Sequence, residues 1–283
     1  MIILHHIDDV RNALESYRKQ NKTIGLVPTM GALHEGHLSL IRRCREENDI
    51  AVVSVFVNPT QFNNKQDLAT YPRNLEKDAK LLDWADIDIV FAPQPEDVYT
   101  AEDMAHPFAF DFHGLDEVME GKQRPGHFNG VVQIVSKLFE IVEPSRAYFG
   151  MKDFQQVAVI RLMVREMNFH VEIIPCPIVR EESGLARSSR NQLLTKEQKE
   201  QASNIYRILR ESLSHLPNCS PAQLTDWTVT QINAQDGLEV EYYEIVDGDT
   251  LQKISSWDDS SYVMGCVTVY CGQVRLIDNI RLK

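Results

Sequence analysis

Pro28-Thr29-Met30-Gly31-Ala32-Leu33-His34-Glu35-Gly36-His37 places two imidazoles three residues apart with a glycine between them. The preceding run, Thr23-Ile24-Gly25-Leu26-Val27, reads as a buried strand, and Leu38 to Cys44 read as an amphipathic helix. His34 and His37 are therefore expected on one face of a first helical turn, where backbone N–H groups lack intrahelical partners and attract anions. Gly36 removes a side chain, so a nucleotide can approach the backbone. Imidazoles at such a place donate to phosphate oxygens and to charge that develops in a transition state. On an ordinary surface helix the same string would be two solvated histidines. The strand-to-helix junction favours a phosphate site.

Three further segments carry chemistry-bearing types. In Tyr148-Phe149-Gly150-Met151-Lys152-Asp153-Phe154-Gln155-Gln156, Gly150 permits close backbone approach, Lys152 offers a point charge and Asp153 suits a helix cap. A plain strand, turn and capped helix with a solvated Lys152 fits the same string. In Gly184-Leu185-Ala186-Arg187-Ser188-Ser189-Arg190-Asn191, two hydroxyls flank a guanidinium that bonds oxygens in a fork. That composition suits a triphosphate, and equally a mobile polar loop. Gln61, after Val57-Asn58-Pro59-Thr60, and Gln155 can each bond a hydroxyl or a carboxylate. The acids of Tyr71-Pro72-Arg73-Asn74-Leu75-Glu76-Lys77-Asp78 either complement a helix dipole or hold Mg²⁺ for a triphosphate. Arg124-Pro125-Gly126-His127-Phe128-Asn129-Gly130 is a turn into a helix and another anion-facing loop by pattern.

The elements that position these residues follow from periodicity. Apolar runs at 24–28, 50–58 and 87–93 alternate with helical patterns at 37–47 and 74–85. The alternation resumes with a helix near 129–141, a strand at 147–149, a helix at 154–167 and a strand at 171–174. Continuous apolar strands separated by helices imply a parallel sheet covered on both faces, with ligands at the carboxyl ends of its strands. After Cys176-Pro177 the composition shifts. Helices are expected from the Thr195 cap to about Ser214 and over 221–234. Strands at 239–246, 262–270 and 274–280 follow, the last two joined as a hairpin by Gly272-Gln273.

The 283 residues suffice for two modest domains, and 43% apolar with 25% charged residues is ordinary for a globular chain. A formal net charge of −12 argues against nucleic acid as a partner, which requires basic faces. It leaves room for a small anionic substrate, since a site needs only a few local cations. Five cysteines, Cys44, Cys176, Cys219, Cys266 and Cys271, form no CxxC pair, so neither structural zinc nor a disulfide framework is expected and a reducing compartment fits. Cys266 and Cys271, flanking a short apolar run, read as packing residues. The start, Met1-Ile2-Ile3-Leu4-His5-His6, lacks the length and charge of a signal peptide, and no stretch reaches the roughly 18 apolar residues of a membrane span. A cytoplasmic protein with no membrane partner is expected.

Together, PTMGALHEGH (28–37), VSVFVNPTQF (53–62), YPRNLEKD (71–78), RPGHFNGV (124–131), YFGMKDFQQ (148–156) and SSRN (188–191) resemble the pantoate–β-alanine ligase family, in its order and at its spacing. The resemblance covers most of the first 195 residues. It implies a Rossmann-like parallel sheet in an N-terminal domain, residues 1–175, that binds nucleotide and pantoate. A smaller α+β C-terminal lid domain, residues 176–283, would follow. The activity implied is ATP-dependent condensation of pantoate with β-alanine through pantoyl adenylate, in the HxGH nucleotidyltransferase superfamily. His34, His37 and Lys152 would be catalytic. Met30, His34, His37, Gly150, Lys152, Asp153, Val179, Ser188, Ser189 and Arg190 would contact ATP, with Gly150 and Asp153 at the ribose and the backbone near Val179 at the adenine. Gln61 and Gln155 would hold pantoate, and Asp78 would stand on the side of the Mg²⁺ that accompanies ATP. The resemblance also implies a homodimer.

One position departs from the family pattern: Arg187 stands where methionine is usual. Two other readings share part of the pattern. A nucleotidyltransferase would keep the nucleotide in its product, and a non-catalytic nucleotide sensor or RNA-binding relative would release no pyrophosphate.

Overall fold

Runs of β-branched and aliphatic residues form the buried strands of the computed structural model, which describes residues 1–63, 65–106 and 108–283, the side chains of 65–67 excepted. Six strands make one parallel sheet: β1 (Ile2–Leu4), β2 (Ile24–Thr29), β3 (Ile50–Val55), β4 (Ile89–Phe91), β5 (Arg146–Gly150) and β6 (Glu172–Cys176). Their order is β1-β4-β3-β2-β5-β6. β2 and β3 run in register from Ile24 opposite Ile50 to Thr29 opposite Val55. All but Pro28 and Val55 in these two strands are buried, as a strand covered on both faces requires. The chain order reverses between β2 and β5, so the carboxyl end of β2 lies at a topological switch point.

The helices at 35–47, 75–84, 127–142 and 154–166 agree with the periodic patterns to within two residues at most ends. The helix at 127–142 is apolar nearly all round and is buried nearly all round. The sequence reading misses short helices at 65–70, 95–98, 101–105 and 119–123 and two elements at the start of the chain. β1 is only three residues long, and Ile7–Lys19 is a helix with only Val10 and Leu14 buried. Its sequence carries two signals: Ile7, Val10, Leu14 and Tyr17 recur on one helical face, and Asp8 and Asp9 in the first turn and Arg18 and Lys19 in the last complement the dipole.

The chain divides into two compact units. The first comprises 1–116, 121–151 and 156–177; the second comprises 117–120, 152–155 and 178–283. Sequence composition placed a boundary near 176 and gave no sign that 117–120 and 152–155 group with the later residues. The bonds that hold them are specific. Arg275 donates to both Glu120 oxygens at 2.7 Å. Gln155 accepts from the Glu120 N–H and donates to the Val118 carbonyl, each at 2.9 Å. Asn279 donates to the Lys152 carbonyl at 3.0 Å.

The second unit contains an antiparallel sheet, β7 (Leu238–Asp247), β8 (Val263–Cys271) and β9 (Val274–Arg281), in that order. β8 and β9 form the expected hairpin, with Cys271 opposite Val274 and Gly272 at φ +59° in the turn. Two capped helices, Lys196–Ser212 and Pro221–Asn233, start from capping boxes: Thr195 with Gln198, and Ser220 with Gln223. Ile205, Ile208, Leu209, Leu224 and Ile232 pack with Val267 and Val269 in the core of this unit. Among the described residues no helix is long and apolar enough to cross a membrane.

All five thiols are unpaired by disulfides. Cys44, Cys176, Cys266 and Cys271 are at most 6% exposed, and burial pushes each thiol up, Cys44 to about 12. Thiolate is the reactive form, so these four should resist alkylation. Iodoacetamide applied to the folded protein at neutral pH is expected to label Cys219 alone, with the other four labelled only in denaturant. Peptide mapping reads the outcome, and rapid native labelling of Cys44 would contradict the packing.

Candidate functional site

The paired histidines stand on a loop fixed from three sides. At the end of β2 the Thr29 hydroxyl donates to the Ser54 carbonyl at 2.7 Å and accepts from the Gly31 N–H at 3.1 Å. Gly31 and Ala32 take positive φ, +77° and +50°, so the chain turns sharply there. Asp78 lies beneath that turn, 2% exposed. Its two carboxylate oxygens accept from the Ala32 and Leu33 N–H groups, each at 2.9 Å. A Cβ on Gly31 would stand 2.9 Å from the Asp78 Oδ2, so glycine serves both the backbone angle and the close approach.

The sequence placed both histidines inside the first turn. The helix instead begins at Glu35, and His34 is its N-cap, with an extended backbone at φ −144°. Its Nδ1 accepts the Gly36 N–H at 3.1 Å. A neutral His34 ring that accepts at Nδ1 carries its hydrogen on Nε2, which is then the atom able to donate to a phosphate. The His37 ring stacks on it, centroids 4.1 Å apart and planes tilted by 34°. One imidazole thus caps the helix while the two rings face the same N-terminal end, where the helix dipole favours anions.

The Met30 sulfur accepts from Gln61 Nε2 at 3.0 Å. Thioether sulfur is a weak acceptor, so a carboxylate or hydroxyl can replace it at small cost. Four residues outside the expected site hold Gln61. Asn58 Nδ2 donates to the Gln61 Oε1 at 3.1 Å and to the Gly130 carbonyl at 2.9 Å. Tyr99 donates to the Asn58 Oδ1 at 2.6 Å, and His127 Nδ1 bonds the Gln61 carbonyl at 2.9 Å. Burial raises the Tyr99 phenol to about 12, which keeps it a donor. The 124–130 segment is therefore not simply an anion-facing loop: His127 is 7% exposed and turned toward the Gln61 backbone. Tyr99 carried no sequence signal, because its partner is 41 residues away.

Gly130 has a steric reason to be glycine. A Cβ there would come 2.5 Å from the Thr60 carbonyl carbon and oxygen and 2.6 Å from the Gln61 Cα, all backbone atoms. Alanine gains about 1 kcal/mol of helix propensity, but overpacking against backbone costs about 1–3 kcal/mol. Gly130→Ala is expected to lose about 1–2 kcal/mol in urea melts, because the Thr60–Gln61 backbone must move outward to admit the methyl group. Unchanged stability would show that the contact relaxes freely.

Within the second unit, sequence-distant residues meet. Lys152, Ser188, Arg190, Asn191 and Asp278 line one recess. The Lys152 side chain is 16% exposed, and its Nζ is 3.5 Å from Asp153. Ser188 caps a short turn of helix, Ser189–Leu193, by accepting from the Arg190 N–H at 3.3 Å. The Val179 carbonyl accepts the Arg187 N–H at 2.9 Å, which closes a small hairpin and leaves its second lone pair for another donor. Arg187 Nε is buried with no hydrogen-bond partner among the described residues. The Gln155 carboxamide, 4% exposed, is engaged with the backbone of 118–120, a partner that spacing along the chain does not predict. In the first unit, a Cβ on Gly150 would meet nothing within 4 Å, so its backbone is approachable.

Asp78 also departs from expectation. It is read from sequence as standing on the metal side, but both its oxygens are committed to loop N–H groups. Among the described residues no group of three or more histidine, cysteine, aspartate or glutamate side chains is placed to hold a metal ion. The donor set does not fit a protein-held metal ion at Asp78.

A parallel α/β sheet with a paired-histidine helix start at its switch point sets an anion-binding site where enzymes of this fold class hold nucleotides. The pantoate-beta-alanine ligase family model matches residues 2–281, so the chain belongs to that family. It is 54% identical over 283 residues to the pantothenate synthetase of Bacteroides thetaiotaomicron, covering 100% of this chain and 99% of that one. A crystal structure of pantothenate synthetase from Thermus thermophilus is 40% identical, with a TM-score of 0.91 and coverage of 100% and 99%. The pantoate-beta-alanine ligase of Francisella tularensis, crystallised with β-γ ATP and β-alanine, is 39% identical, with a TM-score of 0.82 and coverage of 100% and 98%.

Proposed function

We infer that this chain condenses pantoate with β-alanine at the expense of ATP, giving pantothenate, AMP and pyrophosphate. One observation carries the reading: the paired histidines at the strand-to-helix junction belong to a chain that the ligase family model matches from residue 2 to residue 281.

The chemistry is activation followed by aminolysis. A carboxylate is a poor acyl donor, so the pantoate carboxylate attacks the α-phosphorus of ATP and displaces pyrophosphate. The amine of β-alanine then attacks the carbonyl carbon of pantoyl adenylate, loses a proton and expels AMP. No nucleophilic side chain is needed, so positioning and charge stabilisation dominate.

His34, through Nε2, and His37 donate to phosphate oxygens and to the charge that grows on them. The helix N-terminus they share adds its dipole. Lys152, Ser188, Ser189 and Arg190 act on the same triphosphate, Lys152 as a point charge and Arg190 as a fork. Met30 borders the nucleotide, Gly150 and Asp153 meet the ribose, and the backbone around Val179 meets the adenine. Gln61 exchanges its weak sulfur acceptor for pantoate, with Gln155 as its companion. Mg²⁺ arrives bound to ATP. The first unit provides the nucleotide- and pantoate-binding domain, residues 1–175 in outline, and the residues from 176 onward the smaller domain. The protein acts in the cytoplasm as a homodimer.

The test is pantoate-dependent ATP–pyrophosphate exchange, repeated with β-alanine and scored for AMP. Exchange that requires pantoate, with AMP released only when β-alanine is added, supports the ligase. A stable nucleotide-containing product would point to a nucleotidyltransferase, and ATP binding without exchange to a sensor.

A further inference from the structure

We propose that Asp278 and Asn279, consecutive residues of β9, are positioning residues that set both the Lys152 turn and the Ser188–Arg190 loop for their work on ATP. The proposal rests on the assignment of those elements to ATP given above.

Asp278 and Asn279 are 6% and 5% exposed. Asn279 Nδ2 donates to the Lys152 carbonyl at 3.0 Å, which fixes the backbone from which the Lys152 side chain departs. Asp278 takes the Arg180 guanidinium in a two-pronged bond, at 2.6 and 2.9 Å, and also accepts the Asn279 N–H at 2.8 Å. Arg180 passes the constraint on. Its guanidinium donates to the Gly184 carbonyl at 3.2 Å and lies 3.5 Å from the centroid of the Tyr206 ring. Its backbone bridges to Ala186. The Ala186 carbonyl and the Glu181 carboxylate both accept from Asn191 Nδ2, at 3.0 and 3.2 Å.

The hairpin from 180 to 186 is thus clamped at its base by Asp278 and closed at its exit by Asn191. Ser188, Ser189 and Arg190 lie between those anchors. A buried two-pronged ion pair is weak evidence for stability, since its desolvation cost offsets much of the attraction. It is strong evidence for geometry, because a fork fixes both angle and distance. A one-ångström error in aim at a phosphate is expensive in rate.

The experiment measures pantoate-dependent ATP–pyrophosphate exchange on the full chain for Asn279→Ala, Arg180→Lys, Lys152→Ala and the double variant Asn279→Ala/Lys152→Ala, with thermal melts of each. Asn279→Ala and Arg180→Lys are expected to lower kcat/KM for ATP about tenfold while KM for β-alanine moves less than twofold. In the Lys152→Ala background, Asn279→Ala should change exchange less than twofold, because the group it aims is gone. Full multiplication of the two single effects would overturn the proposal, as would normal kcat/KM for ATP in both Asn279→Ala and Arg180→Lys. If Lys152→Ala itself exchanges normally, the assignment of Lys152 to ATP fails. If Lys152→Ala is impaired and Asn279→Ala is not, the positioning role alone fails. Should Asn279→Ala lose its thermal transition, Arg180→Lys, which keeps the charge and loses the fork, decides.

Discussion

Lys152→Ala is expected to lower pantoate-dependent ATP–pyrophosphate exchange at least about a hundredfold. A charge-assisted bond to a phosphate oxygen contributes roughly 3 kcal/mol when water is largely excluded, and each 1.4 kcal/mol is a factor of ten in rate. The side chain is only 16% exposed, so little water is present to take over its role. Stability should barely move. The one ion pair of Lys152 described is to Asp153, at 3.5 Å and with the aspartate half-exposed, and such pairs contribute about 0–1 kcal/mol. A large fall in rate without a fall in melting temperature separates a group that touches the triphosphate from one that merely holds the fold. The split between constants is also informative. If Lys152 bonds the phosphates more strongly as the P–O bond breaks, kcat falls and KM for ATP stays near its normal value. A rise in KM alone would confine Lys152 to ground-state binding, and near-normal adenylate formation would remove it from the assigned role.

The strands were legible because they are buried on both faces and read as unbroken apolar runs, as β2 and β3 do. The cap at Thr195 was equally legible, since caps are local in sequence. The helix from Ile7 to Lys19 was missed although Ile7, Val10, Leu14 and Tyr17 recur on one helical face, because the face is short and only Val10 and Leu14 are fully buried. The histidines were placed correctly to within one residue, yet the role of His34 changed. A histidine is an uncommon cap, and nothing in the string says that its Nδ1 will take the Gly36 N–H rather than remain open to a ligand. The supports of the site were illegible for a different reason. Tyr99 on Asn58, His127 on Gln61 and Asn279 on Lys152 are bonds across 41, 66 and 127 residues. Spacing arguments reach along a helix or a turn, and these partners are set only by how the elements pack.

Asp78 shows what that limit does to a functional reading, and its substitution has the second large effect. An acid near a triphosphate motif suggests a metal ligand, and the string YPRNLEKD allows no finer choice. In the folded chain its two oxygens take the Ala32 and Leu33 N–H groups at 2.9 Å each, at a site 2% exposed. Asp78→Ala leaves the buried Leu33 N–H and the partly buried Ala32 N–H unsatisfied and a turn with two positive-φ residues unsupported. Bonds from backbone N–H to a carboxylate contribute about 1.5–3 kcal/mol each, so a net loss of about 3 kcal/mol is expected in urea unfolding. Exchange should fall with it, because the turn aims both imidazoles. Asp78→Asn keeps one acceptor but sets an amide N–H against a backbone N–H, so an intermediate loss of about 1–2 kcal/mol is expected. The Mg²⁺ dependence tells the two roles apart. A ligand-removing substitution would raise the Mg²⁺ concentration needed for half-maximal exchange, whereas a loop-supporting one lowers the rate at every Mg²⁺ concentration and leaves that midpoint where it was. Asp78→Asn is the variant to titrate, since it retains enough structure to be assayed, and a midpoint shifted upward tenfold would return Asp78 to the metal.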